Sequence, residues 1–170
     1  MGYTYELIQD TDPINPREDD NLGTMICFHR RYNLGDKHEM EPEDVKLMMD
    51  ENEVIWLPLY LYDHSGITMK TTPFSCPWDS GQVGIIYITL DKIRHEYNVK
   101  RISSKLLGKV KDYLRNEVET YNQYLVGDVW GYVIKDSNGD EVESCWGFYG
   151  ESCANDEAAR TCLYLESKAA

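Results

Sequence analysis

Residues 83–89 read Val83-Gly84-Ile85-Ile86-Tyr87-Ile88-Thr89. A run this apolar, with no polar alternation, marks a strand buried on both faces. It is therefore expected at the centre of a sheet. Asp91–Tyr97 then supplies enough polar chain for one or two helical turns. Beyond it, Ile102, Leu106, Val110, Tyr113, Leu114, Val118, Tyr121 and Leu125 recur at three- and four-residue intervals. That spacing predicts a long helix over about 103–125 with one buried stripe. Lys105, Lys109, Asp112, Arg115, Glu119 and Asn122 fall on its opposite face.

Working outward, Val54–Tyr62 is strand-like, and Pro58 within it removes a ladder donor, so an edge position or a bulge is expected there. Asp63-His64-Ser65-Gly66 is a turn, followed by a short strand around Ile67–Lys70. Tyr3–Ile8 and Thr24–His29 read as two further strands. Glu41-Pro42-Glu43-Asp44 opens a short helix near 42–51, with Pro in the first turn and acids at the positive end of the dipole. Asp128–Lys135 and Glu141–Tyr149 flank Asn138-Gly139, a strong hairpin signal. A terminal helix is expected over 155–166, capped by Asn155 or Asp156. The resulting expectation is a single α+β domain over 1–170, a mostly antiparallel sheet of about six strands packed against the long helix.

The chain has 170 residues, 42% of them apolar, which is enough to build a core and excludes a disordered chain. No apolar run nears the roughly 18 residues that span a bilayer. Met1-Gly2-Tyr3-Thr4-Tyr5-Glu6 lacks the basic and apolar regions of a secretion signal, so a cytoplasmic protein is expected. Gly-x-Gly-x-x-Gly and Gly-x-x-x-x-Gly-Lys-Ser/Thr are absent, which sets aside the usual dinucleotide and P-loop sites. Five cysteines without a Cys-x-x-Cys pair read as reduced thiols, mostly small buried hydrophobes, and not as a zinc site. No cofactor and no metal is expected.

Thirty acids against 17 bases give a net charge of −13. The charge is segregated: residues 1–53 carry −9, residues 54–126 carry +2 and residues 127–170 carry −6. Ordinary solubility accounts for a negative chain. The sharper reading is an acidic face that engages a basic protein surface, in an encounter that salt weakens. Direct DNA binding is not expected, because phosphate repels such a chain. The basic residues from Lys92 to Arg115 are the one anion-binding segment, or a solvated helix face.

Three groups carry chemistry in principle. His64 after one strand, and Cys76 and Asp79 in the loop before the central strand, would make a nucleophile, base and orienter if both loops met at one sheet end. The structural alternative makes 71–82 a rigid loop, with Pro73, Pro77 and Gly81 fixing the backbone and Phe74 and Trp78 plugging the core. Glu18, Asp19, Asp20 and Asp36 form an acidic set for partner binding, to which Trp78 and Ser80 are added; Arg17 among them reads as a local ion pair. The calcium-loop pattern Asp-x-Asp-x-Asp-Gly is missing there, and His29 reads as a hydrogen-bonded core residue. The aromatics of Asp128–Tyr132 and Cys145–Tyr149 suggest a base-stacking platform, but acids surround them, which favours cross-strand packing.

Several strings carry a resemblance: Asn15–His29, Arg31-Tyr32-Asn33-Leu34-Gly35-Asp36, Leu57–Gly66, Phe74–Gln82 and Ser144–Gly150. Together they resemble a family of small accessory proteins of tailed bacteriophages and prophages, over most of residues 5–150. The resemblance carries no catalytic residue. It implies a phage accessory context, in which small acidic proteins inhibit host defence; joined to the charge reading, the expectation is a protein of the host cytoplasm that binds and inhibits a host defence or nucleic-acid-binding protein. The competing expectation is a small enzyme or ligand-binding protein using His64, Cys76 and Asp79.

Overall fold

The computed structural model describes residues 2–50 and 53–169. In chain order its elements are β1 (Thr4–Gln9), a 3-10 turn (Pro16–Glu18), β2 (Thr24–Cys27), α1 (Pro42–Asp50), β3 (Val54–Asp63), β4 (Ile67–Lys70) and β5 (Ser80–Thr89). They continue with α2 (Leu90–Glu96), α3 (Ser104–Val126), β6 (Val129–Lys135), β7 (Glu141–Tyr149) and α4 (Glu151–Ala169). The chain divides into two compact units, Met1–Asn15 with Gln123–Ala170, and Pro16–Asn122.

The Pro16–Asn122 unit is built on an antiparallel sheet in the order β2-β5-β3-β4. As its composition requires, β5 is interior, paired with β2 on one side and β3 on the other. Its Ile85 lies with Ile26 and Val45 on one face, where Met48, Met49, Trp56 and Tyr87 pack around them. This face is therefore covered by α1. On the other face Leu114 of α3 and Ile86 close over Gly23. The buried positions of α3 are Val110, Leu114, Val118 and Tyr121, a stripe at helical spacing. Tyr113, counted in the stripe from sequence, is 45% exposed. Pro58 pairs with Ile85, just before a bulge at Leu59/Tyr60, and β4 joins β3 only from Tyr60 onward. The missing donor thus falls where β3 has no second neighbour. Gly84 sits opposite Cys27, where a Cβ would lie 1.9 Å from the Ile26 carbonyl oxygen. β2 and β5 can approach this closely only with glycine there.

The other unit holds an antiparallel sheet in the order β1-β6-β7. Tyr132 and Ile134 of β6 pack against Ala158 and Cys162 of α4, and Tyr5 of β1 donates to Asn155 Oδ1 at 2.8 Å. The β6–β7 hairpin closes as its Asn-Gly pair predicts. Asp136 Oδ1 accepts from the amides of Asn138 (2.8 Å) and Asp140 (3.0 Å). Tyr132 stacks on Phe148 with centroids 5.6 Å apart, which is the cross-strand packing expected of these aromatics.

Three expectations are corrected. The sheet of about six strands is two separate sheets with seven strands among the described residues. The reason is non-local pairing: β1 takes β6 and not β2 as its neighbour. The long helix is not the sheet's sole cover either, because α1 buries the opposite face. Lastly, α4 begins four residues before the expected start, because Asp128 Oδ1 accepts the Glu151 amide at 3.3 Å and so caps the helix from outside it.

Candidate functional site

The end of the β2-β5-β3-β4 sheet where β3 leaves and β5 enters brings His64, Cys76 and Asp79 together. Register does this. Tyr62 pairs with Ser80 and Asp63 with Ile67, so the β3–β4 turn and the β4–β5 loop emerge side by side. The Asp63 amide donates to the Asp79 carbonyl at 2.8 Å and stitches the two loops together. Ser80 Oγ donates to the Cys76 carbonyl at 2.5 Å and holds the second loop closed.

Asp79 is the meeting point. Its Oδ2 lies 3.5 Å from His64 Nδ1 and 3.7 Å from Cys76 Sγ. The three predicted residues therefore do converge, but in the order His64–Asp79–Cys76. A thiol nucleophile needs the imidazole beside it, with the carboxylate behind. Among the described residues no hydrogen bond joins His64 to Cys76. His64 is 63% exposed and its partner's side chain 40%, so water screens the pair and its Coulomb energy is small. Aromatic packing supports the loop: Tyr62 stacks on Phe74 at 5.5 Å, and Lys70 Nζ lies 4.1 Å above the Phe74 ring. Trp78, expected to plug the core, is instead 91% exposed.

Beside Asp79 runs an open groove of about 330 Å³, with His29, Arg31, Asp63, Trp78, Asp79 and Ser80 along it. Arg31 pairs with Asp63. His29 stacks on Tyr32 with centroids 5.0 Å apart, so it is a groove residue and not a core one. Sequence reading grouped Arg31 with His29, Tyr32 and Asp36 and missed Asp63, whose signal was its place at the head of the same turn as His64. Neither His64 nor Cys76 lines this groove.

The acidic set is divided. Glu18, Asp19 and Asp20 are exposed. Asp36 accepts both Arg17 Nε (2.7 Å) and Arg17 Nη2 (2.8 Å), and its Oδ2 also takes the Met25 amide at 2.8 Å. Its carboxylate is thus committed inside the fold. Arg17 Nη1 reaches Glu117 of α3 at 3.1 Å and Nη2 reaches the Gly23 carbonyl at 2.8 Å. Glu117 in turn accepts the Leu22 amide at 2.7 Å. The Arg17 pairing, read as local, spans up to 100 residues of chain. Burial works to strip the guanidinium of its proton, Asp36 and Glu117 overcome it, and the Arg17 pKa ends above its ordinary value.

Of the five thiols only Cys27 and Cys162 are buried, fewer than expected; Cys145 and Cys153 are exposed and Cys76 is half-buried. Burial first, then the charge of Asp36, pushes the Cys27 thiol up to about 12. Among the described residues no three His, Cys, Asp or Glu side chains form a group able to hold a metal ion, and no helix is long and apolar enough to cross a membrane.

The acidic ends of the sequence are divided between the units: residues 1–15, net −3, join residues 123–170, net −6, while residues 16–53, net −6, lie in the other unit. Met1–Asn15 with Gln123–Ala170 carries twelve Asp and Glu against three Lys and Arg, a net of −9. The Pro16–Asn122 unit carries 18 acids and 14 bases, a net of −4. In the first of these units β7 pairs with β6 alone, and Glu141–Gly147 is exposed throughout. Exposed Val142 and Trp146 stand there among Asp140, Glu141 and Glu143. Comparison with protein-family models, with curated proteins and with solved structures gives no match.

Proposed function

We propose that this chain acts by binding a protein with a basic surface, through the acidic unit that carries β7, and that it performs no catalysis there. The observation that carries the proposal is charge placement: residues 1–15, net −3, and 123–170, net −6, fold into one unit of net −9, against −4 for the longer Pro16–Asn122 unit. A field of that sign steers a positive partner and weakens as salt screens it. The exposed Trp146 and Val142 give such a contact an apolar anchor inside an acidic rim. The resemblance to bacteriophage accessory proteins makes a host defence or nucleic-acid-binding protein in the host cytoplasm the candidate partner, with inhibition as the consequence.

The test is capture from host lysate by the immobilised full chain, in parallel with a Glu141→Lys/Glu143→Lys variant. The proposal expects a basic protein retained at low salt, released at high salt, and not retained by the variant. Equal retention by the variant, or no basic protein retained, contradicts it.

A second reading is favoured by one contact set, the Asp79 carboxylate within reach of both His64 and Cys76. A site for thiol chemistry there requires a Cys76 that reacts unusually fast at neutral pH. Mass-spectrometric timing of alkylation decides this. Cys76 modified faster than exposed Cys145 and Cys153 supports the site; equal or slower modification sinks it.

A further inference from the structure

On the Pro16–Asn122 unit, the segment after α2 and the first two turns of α3 enclose a groove of about 650 Å³. Its surface is mostly apolar, formed by Tyr97, Val99 and Leu106, and Arg101, Lys105 and Lys109 stand at its rim. The volume falls within the roughly 300–1,000 Å³ of small-molecule sites.

Three features point to one kind of occupant. The first is unspent positive charge. In a chain of 30 acids, no ion pair engages Arg101, Lys105 or Lys109 among the described residues. Asp112, the acid that lines the groove, is paired with Arg115 at 2.6 Å. The second is aromatic support. Lys109 Nζ lies 5.5 Å from the Tyr97 ring centroid and 5.6 Å from that of Tyr113, which fixes a cation over an apolar floor. The third is Gly108. It lines the groove in the middle of a helix, where glycine costs about 1 kcal/mol relative to alanine. A Cβ there would meet nothing within 4 Å, so no packing demand explains the glycine; its absence of side chain leaves the groove open.

Cations with no ion pair among the described residues, around an apolar surface, match a ligand with an anionic head and an apolar body. We propose that the groove between Tyr97–Ser103 and the first turns of α3 binds an anionic amphiphile, one phosphate, sulfonate or carboxylate group on an aromatic or short acyl body. Arg101, Lys105 and Lys109 hold the head, and Val99 and Leu106 cover the body. Burial first, then Tyr113 and Glu96, raises the Tyr97 phenol above its ordinary pKa, which keeps its hydroxyl a neutral hydrogen-bond donor at this wall. The proposal is independent of the acidic unit, since every residue involved lies in the other one.

The test is titration of 1-naphthyl phosphate into the full-length chain, followed by backbone amide NMR. Saturable shifts confined to residues 97–112 are expected. Lys105→Glu/Lys109→Glu should weaken binding at least about tenfold, and so should Gly108→Leu, which fills the groove without touching charge. Inorganic phosphate and 1-naphthylmethanol, each carrying half of the chemistry, should each bind at least about tenfold more weakly than the probe. Shifts scattered over the surface, absence of saturation, inorganic phosphate matching the probe, or variants binding as wild type would each overturn the proposal.

Discussion

Arg17 donates to both oxygens of Asp36, to Glu117 and to the Gly23 carbonyl, with only 3% of its side chain exposed. Truncating it strands two carboxylates that are themselves 22% and 15% exposed. Removing one partner of such a buried pair costs about 3–5 kcal/mol. Arg17→Ala should therefore lower the urea midpoint strongly, and Glu117→Gln, which keeps shape and one acceptor, should lower it less. Equal and small effects would mean that the cluster is not what ties the 16–23 segment to β2 and α3. Cys27 gives a pH prediction. Its folded pKa of about 12 stands above the ordinary 9.0, so the neutral thiol is favoured by the fold. The associated stability is whole below pH 9.0 and is lost as pH rises toward 12, at about 1.4 kcal/mol per unit. Wild type should lose urea stability over that window faster than Cys27→Ser; identical slopes would contradict the burial argument. At this scale the sequence showed which residues bear chemistry but not their partners. Arg17 and Glu117 are 100 positions apart, and no local pattern marks such a pairing. Trp78 misled for a related reason: an aromatic after a proline in a loop packs inward or outward according to the loop's path, which tertiary contacts set.

Elements fared better where period and chemistry coincide. β5 was legible because a run without alternation has one common explanation, burial on both faces, and both faces are indeed covered. α3 was legible from its stripe, and the β6–β7 hairpin from Asn138-Gly139. The start of α4 was not, since its cap comes from Asp128, outside the helix. Nor was the division into two sheets. Pairing of β1 with β6 joins Thr4 to Lys135, and strand sequences alone do not choose a neighbour at that distance. The β2–β5 approach makes a prediction of its own. Gly84→Ala would place a methyl 1.9 Å from the Ile26 carbonyl, inside the ladder and with no side chain free to yield. Overpacking of this kind costs about 1–3 kcal/mol or more. Gly81→Ala, in the same strand with nothing near its Cβ, should leave stability within about 0.5 kcal/mol. Comparable urea midpoints for the two variants would contradict the register assigned to β2.

For the whole molecule the governing quantity is charge. The sequence displayed the acidic stretches but not which of them share a unit, because long-range contacts such as the β1–β6 pairing and the Tyr5–Asn155 hydrogen bond bring 1–15 together with 123–170. That joining turns a solubility-like composition into a unit of net −9 with an exposed edge strand. The central claim is that this unit, and not the His64/Asp79/Cys76 loops, carries the function. It is tested most directly by one capture experiment run at low and high salt with three proteins: wild type, Glu141→Lys/Glu143→Lys, and His64→Ala/Cys76→Ala. The account predicts that wild type and the loop variant retain the same basic partner at low salt and release it at high salt, while the β7 variant retains none. Loss of the partner by the loop variant with retention by the β7 variant would contradict it.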